Sequence, residues 1–254
     1  MKKTKYYYNK PNFKLIHWDC FEELKKMKEN SVDLIFADPP YFLSNNWITC
    51  SWWKMVSVNK WKRDKISSLQ EKHEFNKARI KECYRVLKDT WSIRISWTLH
   101  NIYSIWMALE ENNFKILNNI TWWKTNPPPN LACKTFTHST ETILRAKKNI
   151  KKAKHKFNYQ LMKELNWWRQ MRDIWMTSLT KPSEKKQWKH PTQKPLEILE
   201  RIILACSDEW DLILDPFSWS WTTWLASVKH KRKYIWIEKE KEYIDLSIRR
   251  YENK

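Results

Sequence analysis

No glycine occurs in these 254 residues, whereas tryptophan occurs 19 times. Glycine enters left-handed backbone without steric penalty and allows close backbone approaches, so a chain without it must place Cβ-bearing residues wherever a fold demands such conformations. At the usual frequency of about 7%, a chain of this length would carry roughly 18 glycines, close to the tryptophan total. The pairs Trp52-Trp53, Trp122-Trp123 and Trp167-Trp168, and the alternation Ser218-Trp219-Ser220-Trp221, follow no packing pattern and read as turns that suit glycine. Most of these tryptophans are therefore expected to stand where the working protein has glycine, as when one codon, UGA being the obvious candidate, is translated under the wrong genetic code. Trp122 and Trp175 are the candidates for genuine tryptophans.

The charge balance restricts the partner. With 48 Lys+Arg against 28 Asp+Glu the net charge is +20, more than solubility requires, and it would attract a polyanion through long-range steering and counterion release. Nucleic acid is the first partner to consider, the plainer alternative being a solvated basic surface. Cys20, Cys50, Cys83, Cys133 and Cys206 form no C-x-x-C pair and are odd in number, so they read as reduced thiols. No run approaches the ~18 apolar residues of a membrane span, and the Lys-rich start lacks the apolar core of a signal peptide. A cytoplasmic protein with no membrane partner is expected.

Hydrophobic patterning gives the fold class. Residues 14–18 and 32–37 are short apolar runs separated by the helical stretch FEELKKMK, and a long loop spans Ser44 to Ser68. A helix over 73–88, a strand at 92–96, a helix from Ile102 to Glu111 and strands at Phe114 to Trp122 and Thr140 to Ala146 follow. Alternation resumes with a helix at 195–206, a strand at 211–216, a helix from about Thr222 to Lys231, a strand at 233–238 and a last helix to Arg250. Repeated strand and helix units predict an α/β fold, a mostly parallel sheet with helices on both faces. The chain reads as one domain, 1–254, interrupted by a basic and polar insertion at about 147–189.

Two strand ends carry the chemistry. VDLIFA runs into Asp38-Pro39-Pro40-Tyr41, at the carboxyl end of a strand, where open α/β sheets bind ligands. The amino nitrogen of adenine is a poor nucleophile because its lone pair is delocalised into the ring. A carboxylate such as Asp38 and the Pro39 carbonyl could accept its two hydrogens and localise that pair, while Tyr41 stacks on an extruded base. The prolines stiffen the loop and bring no N–H to compete for those acceptors. The second turn is Asp215-Pro216-Phe217-Ser218-Trp219-Ser220-Trp221-Thr222-Thr223; with glycine at 219 and 221 its backbone could approach a nucleoside closely. A strand then ends at Glu238, where dinucleotide-type folds place an acid on ribose hydroxyls.

In this order the motifs resemble the β-class amino-methyltransferases of restriction-modification systems, in which D-P-P-Y precedes the F-x-G-x-G cofactor motif. The resemblance rests on IHWDC (16–20), ADPPYFLSN (37–45), ISWTLHNIY (95–103), TNPPPN (125–130), HSTETIL (138–144), KHPTQKP (189–195) and DPFSWSWTT (215–223). It implies a circularly ordered, Rossmann-like fold that uses S-adenosylmethionine (SAM) and acts on DNA, with target recognition by the 147–189 insertion. Asp38, Pro39, Pro40 and Tyr41 would be catalytic. Asp19 and Cys20 would meet the cofactor adenine, Thr192 and Lys194 its methionine end, and Glu238 its ribose. Asp215, Phe217, Ser218, Trp219, Ser220, Trp221 and Thr222 would form the rest of that pocket. The resemblance admits a homodimer and a cognate restriction endonuclease as partners. Tryptophan stands at family glycine positions 18, 97, 219, 221 and 236.

Within that resemblance D-P-P-Y accompanies adenine N6 methylation, whereas S-P-P-Y is the commoner form for cytosine N4. Cytosine methylation and an inactive DNA-binding relative are the alternatives. His100, His138 and His190 lack metal-ligand spacing with a carboxylate, so hydrogen-bonding or packing roles and no metal are expected. The run Lys147 to Lys156 is read either as a phosphate-contacting stretch or as a solvated face.

Overall fold

In the computed structural model, which describes residues 6–39, 48–51, 54–57, 68–185, 193–217, 222–239 and positions 241, 244, 245 and 248, the apolar runs assemble into a nine-stranded sheet. The chain begins with β1 (Tyr8–Lys10), β2 (Phe13–His17), α1 (Cys20–Lys26) and β3 (Val32–Ala37), followed by a separate hairpin of β4 (Ile48–Ser51) and β5 (Lys54–Ser57). It continues with α2 (Leu69–Val86), β6 (Leu87–Trp97), α3 (Ile102–Glu111), β7 (Phe114–Lys124) and β8 (Thr140–Lys148). Then come α4 (Tyr159–Glu164), β9 (Ile174–Thr177), a 3-10 turn at Pro182–Lys185, α5 (Leu196–Cys206), β10 (Leu212–Asp215), α6 (Thr222–Lys229) and β11 (Lys233–Glu238).

The spatial order is β1-β2-β11-β10-β3-β6-β8-β7-β9. The strands from β2 to β6 in that order are parallel neighbours, as expected from the alternation with helices. Two strands are reversed. β8 runs against both β6 and β7, and β1 runs against β2, so the sheet is mixed.

Both faces of the sheet are apolar because its strands are covered on both sides. Ile35, Ile93, Ile95 and Leu214 pack with Leu24 of α1, Ile80 of α2 and Ile105 of α3. Leu34, Phe36, Ile213 and Trp236 face the other way, onto Met162 of α4, Ile202 of α5 and Trp224 of α6. The crossover from β3 to β6 thus lies on one face and that from β10 to β11 on the other. β3 and β10 are the neighbours from which the two windings diverge, and their carboxyl ends form the switch point where such sheets hold ligands.

The structure departs from the sequence reading in three places. β6 begins at Leu87, directly after α2 ends at Val86. The loop expected from Ser44 to Ser68 contains the hairpin of β4 and β5, and its other residues up to 67 lie outside the described ones. The polar tract at 147–189 contributes α4 and also β9, an edge strand paired in parallel with β7. Most of the last expected helix lies outside the described residues.

Five of the tryptophans show two contrasting settings. Trp122 and Trp175, partners in the register of β7 and β9, are buried, and their indole N–H groups donate to the carbonyls of Thr177 (3.3 Å) and Arg172 (3.0 Å). Trp167, Trp168 and Trp210 are exposed and have φ of 54°, 62° and 70°, in the left-handed region where a bulky residue is a genuine outlier. Trp168 N–H bonds the Lys163 carbonyl (2.7 Å) just past α4, which puts Trp167 at the left-handed position that glycine usually fills at a helix end.

Candidate active site

Asp38 immediately follows β3, so the hydrogen-bonded strand fixes its backbone, and its side chain is buried. Asp215 ends the adjacent β10. Its Oδ1 accepts the Phe217 N–H (3.2 Å) and its Oδ2 accepts the Tyr234 hydroxyl (3.3 Å). Burial pushes the Asp215 carboxyl up to about 7, against the pull of the Thr223, Phe217 and Tyr234 hydrogen bonds, and the charge of Asp38 adds to the rise. Two carboxyl groups therefore sit at the switch point in different surroundings.

Beside them opens a cavity of about 140 Å³ whose wall includes Trp18, Asp19, Cys20, Arg79, Phe217 and Glu238. Asp19 is the N-cap of α1, its side chain accepting the N–H groups of Phe21 (3.0 Å) and Glu22 (3.4 Å). Burial pushes the Cys20 thiol up to about 11, the neighbouring Arg79 only partly opposing it, so the group remains a thiol. Glu238 ends β11 and is buried. Phe75, Arg79 and Phe217 also line a smaller apolar hollow that reaches Ala37 and Pro39, so one wall runs from the acid at Glu238 to the start of the D-P-P-Y turn.

These groups fit a nucleoside cofactor: an acid at a strand end for ribose hydroxyls, polar groups at a helix start and an aromatic ring for a base. The volume is small, because ligand pockets usually enclose about 300 to 1,000 Å³. Trp18 on the rim takes part of the space that glycine would leave open.

The structure brings together Asp19, Cys20, Phe217 and Glu238, and places Pro39, Asp38 and Asp215 alongside. Thr222 is buried at the start of α6. Pro40, Tyr41, His190, Thr192, Ser218, Trp219, Ser220 and Trp221 lie outside the described residues. Lys194, expected near the methionine end of the cofactor, has its ammonium on Asp38, 3.0 Å from Oδ1 and 2.9 Å from Oδ2.

Sequence reasoning missed Arg79 and Glu141. Arg79 lies one helical turn after Phe75, with its guanidinium 3.3 Å from the centre of that ring, a spacing that a helical reading of 73–88 contained. Glu141 lies inside the quoted motif HSTETIL and forms an ion pair with Lys194 at 3.3 Å. His100 and His138 stack edge to face, 6.4 Å apart, and burial, His138 and Lys72 hold the His100 ring below its ordinary value. Among the described residues no group of three or more His, Cys, Asp or Glu could hold a metal ion, and no helix is long and apolar enough to cross a membrane.

The basic run lies away from this site. Lys147 pairs with Ser92, midway along β6, and Lys148 with Phe114, at the amino end of β7. Lys148 bonds Asn30 (2.7 Å) and Asp89 (2.9 Å), Lys147 bonds the Ala153 carbonyl (2.9 Å), and Lys156 pairs with Asp208.

Residues 32–249 match the N6/N4 methyltransferase family, described as DNA methylase. The chain is 58% identical over 249 residues to the type II methyltransferase M2.DpnII of Streptococcus pneumoniae, covering 98% of this chain and 93% of that protein. It is 38% identical to the type II methyltransferase M.HinfI of Haemophilus influenzae, covering 93% of this chain and 67% of the relative. Among solved structures, the M1.HpyAVI-SAM complex superposes with a TM-score of 0.67 at 29% identity, covering 94% of this chain and 99% of that one. The cytosine-N4-specific PvuII DNA methyltransferase superposes with a TM-score of 0.76 at 20% identity over 98% of this chain and 89% of its own, a likeness of fold alone.

Proposed function

The chain belongs to the N6/N4 DNA methylase family, and from that premise we propose that it methylates adenine N6 within a short specific DNA site, as the modification enzyme of a type II restriction system. SAM is the methyl donor. The observation that carries this reading is the position of Asp38, at the carboxyl end of β3 beside a cavity lined by Asp19, Cys20, Phe217 and Glu238.

A methyl group leaves the sulfonium of the donor only toward a nucleophile with an available lone pair. Asp38 and the Pro39 carbonyl accept the amino hydrogens of the extruded adenine, Tyr41 stacks on the ring, and the nitrogen lone pair is freed to attack. Glu238 would take the ribose hydroxyls of the cofactor, Asp19 and Cys20 would meet its adenine, and Thr192, Asp215, Ser218, Ser220 and Thr222 would complete the pocket with Phe217, whereas the ammonium of Lys194 lies on Asp38. At 219 and 221 the working enzyme has glycine where this chain has tryptophan. Asp rather than Ser at position 38 favours adenine over cytosine.

The recognition region is the 147–189 tract, in which the residues directly after β9, up to 185, leave the sheet at the end that carries Asp38. The enzyme works in the cytoplasm, and a homodimer and a cognate endonuclease are the protein partners of this reading. The test is product analysis. Duplex DNA treated with labelled SAM and the chain carrying glycine at 18, 219, 221 and 236, then digested and separated by mass, should yield N6-methyladenine; N4-methylcytosine, or DNA and SAM binding with no methylated product, would refute the assignment.

A further inference from the structure

The geometry points to Lys194 as a positioning residue for the reaction at Asp38, holding that carboxylate charged and aimed, with Glu141 and Lys124 holding Lys194 in turn. This rests on the reading of Asp38 given above. The four side chains come from four different parts of the chain and alternate in sign. Lys194 is 2% exposed, and its ammonium meets both oxygens of Asp38. Its other flank faces Glu141 Oε2 at 3.3 Å, and Glu141 Oε1 accepts from Lys124 at 2.7 Å. Burial alone would push the Glu141 carboxyl up, but the ammonium groups of Lys194 and Lys124 outweigh it and hold the group below the ordinary carboxylate range.

The backbone around Lys194 is pinned on both sides. The Gln193 carbonyl accepts the Thr180 hydroxyl at 2.5 Å, and the Leu196 N–H donates to Glu184 Oε2 at 3.0 Å. A buried ion pair is a weak source of stability, because desolvation offsets much of the attraction. An array of four such groups that ends on the reactive carboxylate is better explained by the chemistry. Asp38 must be ionised to accept the amino hydrogens, yet it is buried and faces a second acid, Asp215 of β10. Charged groups near Asp38 include Lys194 and Asp215, with Glu141 of β8 and Lys124 of β7 behind Lys194. Asp215 is held by the neutral donors Phe217 N–H and Tyr234 O–H, whereas Asp38 has an ammonium. Lys194 thus favours charge on Asp38, while burial above all disfavours it on Asp215, and separating a carboxyl pair in this way assigns the two acids different roles.

The experiment compares Lys194→Met, Lys194→Arg and Glu141→Gln in the full chain carrying glycine at 18, 219, 221 and 236. It measures SAM affinity by calorimetry and kcat against pH at saturating SAM and DNA. Lys194→Met should lower kcat by roughly 10- to 1000-fold. Its SAM affinity should stay within about 3-fold, a change too small to account for that loss. The acid limb of its kcat profile should move up by about one pH unit. Lys194→Arg should recover part of both losses, and Glu141→Gln should lower kcat by less than Lys194→Met, through looser placement of Lys194, without raising the limb, because it removes a negative charge. A variant that loses SAM affinity at unchanged kcat would place Lys194 on the cofactor and overturn the inference. So would a loss of kcat with an unmoved acid limb that Arg does not relieve. If Lys194→Met does not fold, Lys194→Gln takes its place, and an unmoved acid limb there overturns the inference equally. Asp38→Ala separates the two layers: full turnover there refutes the base-contact reading itself, whereas an inactive Asp38→Ala beside a normal Lys194→Met refutes the role of Lys194 alone.

Discussion

Asp215 ends β10 next to the strand that leads into Asp38, and the charge of Asp38 makes Asp215 harder to ionise. Burial is the larger cause, and together they carry the Asp215 carboxyl from its ordinary value near 4 to about 7 in the folded chain. The folded state then binds a proton that the unfolded state has released, throughout the interval between those values. Asp215 therefore favours folding at acid pH, and this contribution is lost as pH rises toward 7, over a range of a few kcal/mol. Unfolding free energies measured by denaturant titration between pH 4 and 7 should show this fall, and Asp215→Asn should flatten it. An Asn variant with the same pH dependence as the parent would show that Asp215 is not the group responsible.

The sheet was legible because its signal is periodicity, which survives whatever stands at the turns. β11 and α3 have the bounds that their apolar patterns predict. β9 was not legible: with Trp167, Trp168 and Arg169 before it, IWMT has too little alternation to separate it from a polar tract, and pairing with β7 is what makes it a strand. The two strand ends bearing Asp38 and Asp215 could be read as site positions from the residue types and the turn that follows each. Their adjacency could not, because it depends on the strand order. Nor could the partner of Lys194, since an ion pair across 156 residues leaves no local pattern.

Trp167 and Trp210 hold left-handed backbone with exposed indoles, 88% and 53% accessible, so little packing offsets the strain. Such a conformation costs a bulky residue of order 1 to 3 kcal/mol, and the greater unfolded-state freedom of glycine returns up to about 1 kcal/mol of that. Trp167→Gly and Trp210→Gly should each stabilise the chain by about 1 kcal/mol. Trp175→Gly should instead destabilise it by roughly 3 kcal/mol or more, because a buried, hydrogen-bonded indole is removed. Thermal and denaturant unfolding of the three variants checks the sign. Destabilisation by all three would mean that the left-handed sites do not call for glycine.

The run Lys147 to Lys156 gave the sequence its clearest phosphate-binding stretch, yet it lies by the amino end of β7, whereas Asp38 lies at the carboxyl end of β3. DNA whose target base reaches Asp38 would cross the other end of the sheet, where the β7–β8 connection presents Lys134 and the segment after β9 presents Lys181, both exposed. Neutralising Lys151, Lys152 and Lys154 should leave the salt dependence of DNA binding unchanged. Neutralising Lys134 and Lys181 should reduce the slope of log affinity against log salt by up to ~0.9 per lost contact. Binding titrations across a salt series decide the matter, and a slope that falls only with the first set would put the DNA on the opposite end.

The cavity beside Asp38 gives the most direct test of the proposal that tryptophan stands in for glycine. At about 140 Å³ it falls short of the roughly 300 Å³ at which ligand pockets begin, and Trp18 is part of its wall. Removing that indole enlarges the cavity without touching Asp19, Cys20, Phe217 or Glu238. Trp236 faces the opposite core, so glycine there changes packing behind β11 and not the cavity wall. At 219 and 221 indoles would occupy a turn whose backbone must approach the nucleoside closely, where Cβ atoms alone are an obstacle. Calorimetry with SAM should therefore detect little or no binding to the chain as it stands. It should detect weak binding to Trp18→Gly, and clear binding once Trp219→Gly, Trp221→Gly and Trp236→Gly are added. Equal, tight binding by the unaltered and the four-glycine chains would show that these tryptophans are compatible with a working cofactor site, and that the match between the two residue totals is a coincidence.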